Sequence, residues 1–193
     1  MSEAYATHYY RGDRKPFQNL SEVDDRELDA VLATLAEGSR RRFGPRYVPL
    51  RRATEARARD LFLQLGGKPV RRYPHYFVLG SSPWFAGLYD TPREVRISLS
   101  DLPPEATSFT WTDSITALGL GVDLGVPQPP EPWKRELYRL DQLDLTQAGS
   151  LPSASGRGYE GYQQQLLDHY IEIQLWQTNR YGPSHLLETS WAA

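Results

Sequence analysis

Three short segments carry side chains whose types and spacing suit chemistry. The first is His169–Trp176, HYIEIQLW. Side chains along a strand point alternately to its two faces. Ile171, Ile173 and Leu175 therefore share one face, as a core requires. Tyr170, Glu172, Gln174 and Trp176 form a row on the other. A carboxylate, an amide and two aromatics suit a ligand cleft: Glu172 offers negative charge, Tyr170 and Trp176 flat surfaces for a ring. An amphipathic strand with its polar face in solvent has the same pattern. The second segment is Tyr9-Tyr10-Arg11-Gly12-Asp13. An arginine at a strand end followed by glycine lets a guanidinium and a close backbone approach meet one anion. The third is Thr107–Ser114, TSFTWTDS. Alternation puts Ser108, Thr110 and Thr112 on one face, a hydroxyl ladder that can orient a carboxylate or a sugar. Ordinary sheet threonines look the same.

The elements that must position these groups follow from periodicity. Residues 6–13 read as a strand closed by Gly-Asp. Ser21 reads as a helix N-cap with Glu22, Asp24 and Asp25 in the first turn. Leu28, Val31, Leu32 and Leu35 then recur at helical spacing up to Gly38. A second helix is expected from about Pro49 to Leu65, with Ala58, Leu61, Phe62 and Leu65 as its apolar stripe and Arg52, Glu55 and Arg59 on another face. Strands are expected at Tyr73–Leu79, Glu94–Leu99, Thr107–Trp111, Glu136–Leu140 and His169–Trp176. Asp113 or Ser114 can cap a short helical turn, and another short helix is expected near Asp141–Ala148. Gly119–Pro132 reads as a surface loop, and 149–161 is rich in Ser and Gly. This order predicts an α+β fold: one domain over 1–176, an N-terminal strand and two helices followed by a mostly antiparallel mixed sheet, and a loosely held tail over 177–193.

Composition narrows the chemistry. The 193 residues include no cysteine, which excludes disulfides, thiolate metal sites and a cysteine nucleophile. Four scattered histidines give no HExxH spacing, and Gly-rich phosphate loops and a GxSxG elbow are absent. No run approaches a membrane span, and Met1–Arg11 has no secretory apolar stretch, so a cytoplasmic location is expected. Net charge is −2, but Arg40–Arg72 holds eleven basic residues against two acids, a local +9 that leaves −11 elsewhere. An anionic partner, dinucleotide or nucleic acid, is one reading; a solvated basic helix paired with the acidic remainder is the other.

An Arg strand, a Ser/Thr strand and a late Glu strand, in that order, resemble the ADP-ribosyltransferase folds of the R-S-E type. Tyr10-Arg11-Gly12 resembles that family's YRG, Ser108-Phe109-Thr110 its S-x-S/T. The stretch from Arg93 to Ser114, with YIEIQLW, is also similar to the later half of DNA-modifying ADP-ribosyltransferase toxins, and PHYFVLGSSPWF to a family of uncharacterised bacterial proteins. The resemblance implies NAD as substrate, cleavage of its nicotinamide–ribose bond, and transfer of ADP-ribose to an acceptor that is protein, nucleic acid or water. It implies Glu172, Ser108 and Thr110 as catalytic residues. Arg11, Gly12, Tyr170, Gln174 and Trp176 would bind the cofactor, with Arg72 a rival to Arg11. The family's usual Q/E-x-E is here Glu172-Ile173-Gln174, with Tyr170 two places before the acid. The alternatives are a non-catalytic nucleic-acid or protein binding module using residues 40–72, and a magnesium-dependent hydrolase, for which no DxD cluster is present.

Overall fold

The computed structural model describes residues 4–37, 44–148, 170–177 and 187–189. The expected α+β architecture is present. The chain begins with β1 (Tyr5–Arg11), then α1 (Asp25–Glu37) and α2 (Tyr47–Gln64), and continues with β2 (His75–Leu79), α3 (Pro83–Ala86), β3 (Pro92–Ser98), β4 (Thr107–Thr110), α4 (Ser114–Ala117), β5 (Leu137–Arg139), α5 (Leu145–Ala148), β6 (Glu172–Leu175) and β7 (Leu187–Thr189). The strands form one sheet in the order β5-β4-β6-β2-β1-β3-β7. Every described pairing is antiparallel. The first strand thus lies inside the sheet. The tail expected to fray supplies β7, whose Leu187–Thr189 satisfies the edge of β3 with backbone hydrogen bonds; three residues are too few to show an alternating pattern. The Ser/Gly-rich stretch at 149–161 and Arg40–Arg42 lie outside the described residues.

One face of the sheet carries the main core. Ala6, Phe77, Val95, Ile97, Phe109, Ile171, Ile173 and Leu175 pack there with Leu102, Trp111 and Leu140 from the connections. The alternation of HYIEIQLW is therefore real. Helix α2 does not cover this face; it packs on the other one, where Ala58 and Phe62 meet Trp176 and Leu137.

The expected face of α2 is corrected at one residue. Glu55 is fully buried, together with Val48, Thr54, Ala58 and Phe62, whereas Leu65 is exposed. At 100° per residue, positions 55, 58 and 62 fall within one stripe, so Glu55 faces inward with Ala58 and Phe62. The N-terminal cap of α1 is also corrected: Ser21 lies in a separate turn, where its N–H donates to Asn19 Oδ1 at 2.9 Å. The apolar stripe of α1 is not deeply buried. Val31 and Leu35 line a cavity instead.

Candidate functional site

The cavity arises where two strands part. β1 pairs with β3 along seven residues but with β2 only at Ala6↔Leu79 and Thr7↔Val78. Beyond Thr7 the strands diverge, and His8 spans the gap. Its Nδ1 lies 2.7 Å from the Tyr76 carbonyl, and the Phe17 N–H donates to its Nε2 at 3.0 Å. A carbonyl on one nitrogen and an N–H on the other require the neutral imidazole with the proton on Nδ1. Burial lowers its pKa to about 4, against the Tyr76 carbonyl, which favours the charged form. Phe17 stacks on this ring at 4.6 Å and holds a left-handed φ of 63°. That conformation is uncommon for a bulky residue and is sustained here by the packing around the wedge.

A cavity of about 710 Å³ opens at this divergence, within the range of small-molecule sites. Glu172 and Asp113 line it beside Tyr170, Phe85, Tyr89 and the first turns of α2; Arg11 lines it too. Glu172 aligns with Val78 on β2, which aligns with Thr7 on β1. Arg11 lies four residues further along β1, so the two backbone positions are roughly 16 Å apart from strand rise and spacing. That separation suits an extended ligand.

Glu172 is held by a directed network. The Trp176 indole N–H donates to Ser108 Oγ at 2.8 Å, and the Ser108 hydroxyl donates to Gln174 Oε1 at 2.8 Å. This fixes the amide, so Gln174 Nε2 faces Thr110 Oγ1 at 3.1 Å and Glu172 Oε1 at 3.0 Å. Thr110 passes its own proton to the Thr112 carbonyl at 2.6 Å. The Ser114 N–H, at the start of α4, adds a 3.1 Å donation to Glu172 Oε1. Asp113 caps α4 through Oδ1, which accepts from the Thr116 N–H at 3.0 Å. Burial pushes the Glu172 carboxyl up to about 7, and the Asp113 charge adds to the rise. The donations from Gln174 and Ser114 and the Arg51 charge oppose it.

The expected site residues separate into two groups. Glu172, Tyr170 and Arg11 line the cavity. Ser108, Thr110 and Gln174 are wholly buried behind Glu172. Their hydrogen bonds make them positioning groups with no surface to offer a ligand. Trp176 is likewise sealed, its ring stacked on Phe62 at 6.2 Å beneath α2. The expected ligand-facing row is thus halved, because α2 covers its far end. Arg72 is exposed, sits over the Tyr73 ring at 5.1 Å and does not line the cavity. Arg11 is engaged on three sides: it donates to Asp13 Oδ1 at 2.5 Å, to Asp13 Oδ2 at 2.7 Å and to the Thr34 carbonyl at 2.7 Å. Gly12 gives its N–H to Thr91 O at 2.8 Å, and a Cβ there would approach that carbonyl to 3.1 Å. Its close backbone approach is to Thr91 at β3's entry.

Two features escaped sequence reasoning. His8 has no motif; only the divergence of β1 and β2 gives it a role. Arg51 and Glu55 lie at i,i+4 on α2, and that spacing together with the Ala58/Phe62 stripe was the available signal. Much of the basic segment turns inward. Arg52 donates to Asp25 and to the Ser21 and Val23 carbonyls, Arg59 to the carbonyls of Arg71 and Pro69, and Arg71 pairs with Glu22. Among the described residues no cluster of three His, Asp or Glu side chains is arranged to hold a metal ion, and no helix is long and apolar enough to cross a membrane. No protein-family model, curated protein or solved structure matches the chain.

Proposed function

We propose that this chain is an ADP-ribosyltransferase-like enzyme that cleaves the nicotinamide–ribose bond of NAD and passes ADP-ribose to an acceptor. The observation that carries the reading is the position of Glu172. It sits in the wall of an aromatic-lined cavity, oriented from behind by the Ser108–Gln174–Thr110 network, with Arg11 on the same cavity.

The chemistry follows from what that carboxylate faces. As the bond between the ribose anomeric carbon and the nicotinamide nitrogen breaks, its electron pair leaves with neutral nicotinamide. Positive charge passes to the ribose. A fixed carboxylate stabilises that charge more in the transition state than in the ground state. The acceptor then supplies the pair for the new bond to the same carbon and loses a proton. Tyr170, two residues before Glu172 and lining the cavity, occupies the acceptor side in this reading. Gln174 does not, being enclosed by the sheet. Only ionised Glu172 can do this work, so the rate should climb as pH rises through about 7. The test is nicotinamide release from NAD, followed with and without protein, DNA and RNA acceptors. Release that depends on Glu172 is expected. Absence of both NAD binding and release under all of these conditions removes the reading.

A further inference from the structure

Arg51 is built into the cavity wall in a manner that leaves one edge of its guanidinium for a ligand. Its Nε donates to Glu55 Oε1 at 3.2 Å, its Nη1 to the Tyr47 hydroxyl at 3.1 Å, and its Cζ lies 4.5 Å from the centre of the Tyr76 ring. Glu55, fully buried, is itself fastened by the Tyr76 hydroxyl at 2.9 Å and Asn19 Nδ2 at 3.0 Å. Burial works against the Arg51 charge, but Tyr47, Tyr76 and Glu55 outweigh it and keep the group protonated. Nη2 has no hydrogen-bond partner among the described residues, and Arg51 lines the cavity.

A stacked, doubly anchored guanidinium is an expensive device for holding a helix to a sheet. Burying a charged group without full use of its donors costs stability that an apolar side chain would not. The same arrangement suits anion capture, because the fork is already oriented and loses little freedom on binding. Three other cations line the cavity: Arg11 has three donors committed to Asp13 and Thr34, and Arg14 and Lys15 lie on the turn that follows β1, on the far side of Arg11 from Thr7 along the chain.

We propose that Arg51 is the anion-binding residue of this cavity and takes a phosphate oxygen of the ligand on its Nη2, so that the site selects phosphorylated nucleotides over nucleosides. The nucleotide half of this proposal rests on the NAD reading above; the anion half does not. Arg51's charge reaches Glu172 across the cavity, so such a contact would hold the diphosphate beside the reacting ribose, the role that the family resemblance implies for Arg11.

The experiment is calorimetric titration with inorganic pyrophosphate, ADP-ribose and adenosine. Wild type, Arg51→Gln/Glu55→Gln, which removes both partners of the buried pair together, and Arg57→Gln, an exposed control on α2, are compared. Wild type should bind pyrophosphate and ADP-ribose but adenosine far more weakly. The double variant should lose at least about tenfold in affinity for both anions, the scale of one charge-assisted contact, and the control should not. Should the double variant fail to fold, Arg51→Lys decides: it keeps the charge but not the fork, and a weakening of several-fold is expected. Unchanged ADP-ribose affinity in the folded variants overturns the role of Arg51 and leaves the NAD reading intact. Arg51-dependent pyrophosphate binding without any ADP-ribose or NAD binding upholds the anion site and removes the NAD reading. No binding of either anion by wild type overturns both.

Discussion

Replacing Glu172 by glutamine should make the protein more stable at alkaline pH. The carboxyl rises from 4.5 to about 7 on folding. At about 1.4 kcal/mol per pH unit, that is about 3 kcal/mol. The folded state holds its proton more tightly than the unfolded one. Below pH 4.5 both states are protonated and nothing is lost. Between 4.5 and 7 the unfolded state ionises first, so stability falls as pH rises, and above 7 the loss is complete. Glutamine has the same shape, keeps an oxygen for the Ser114 and Gln174 donors, and carries no charge to bury. Water entering the cavity reduces the gain to about 2 kcal/mol, which for a chain of this size raises Tm by about 4–8 °C. The assay is thermal unfolding of wild type and Glu172→Gln at pH 4 and pH 8. Equal Tm at pH 4 and a higher Tm for the variant at pH 8 are expected; the histidines titrate alike in both proteins and cancel. A variant less stable at pH 8, or one whose gain is the same at both pH values, would refute the placement of an ionised carboxylate in the partly desolvated cavity wall.

Other perturbations read different parts of the structure. Gln174→Glu, the change that would supply the family's usual second acid, puts a carboxylate 3.0 Å from Glu172 Oε1; chemical denaturation should show a loss of stability larger at pH 8 than at pH 5. In the Glu172→Gln background, where the acid's own titration is gone, stability should fall as pH drops from 6.5 towards 4. Burial holds His8 at about 4 and His75 at about 3 in the fold, and protonation of each in the unfolded state costs up to about 3 kcal/mol by pH 4; a flat denaturation midpoint across that range would contradict the burial of both as neutral rings, and a slope unchanged by His8→Gln would contradict the bridging tautomer. Phe62→Ala removes the fully buried ring that stacks on Trp176 and should cost about 3–5 kcal/mol, read as a lowered denaturation midpoint.

What was legible in the residues was local. The period of two in HYIEIQLW marks the core face Ile171, Ile173 and Leu175, and the Asp113-Ser114 pair marks the start of α4, the structure choosing Asp113 as its cap, because both signals lie within a few residues. The partnership of Ser108 with Gln174 spans 66 positions and exists because β4 and β6 pair in register at that level. Alternation could place each on a face but not name the partner. That Trp176 and Gln174 are sealed while Tyr170 and Glu172 are not depends on where α2 ends across the sheet, a tertiary fact. Grouping Glu55 with Arg52 and Arg59 on another face than the apolar stripe follows residue type, whereas its spacing from Ala58 and Phe62 places it with them, buried. The inward turn of Arg51, Arg52, Arg59 and Arg71 has the same origin: charge counted along a chain does not show which donors the fold itself consumes.

The central claim is that Glu172 stabilises a ribose cation. Its most direct measurement is the initial rate of nicotinamide release from NAD between pH 5 and 9, for wild type and for Glu172→Gln, with NAD binding followed in parallel. The account predicts a wild-type rate that rises through about pH 7, as the carboxyl ionises. It predicts a variant that still binds NAD but whose rate is lower by roughly a hundredfold or more, the scale of losing one preorganised electrostatic group. Equal release by the two proteins, or release by neither while both are folded, would contradict it.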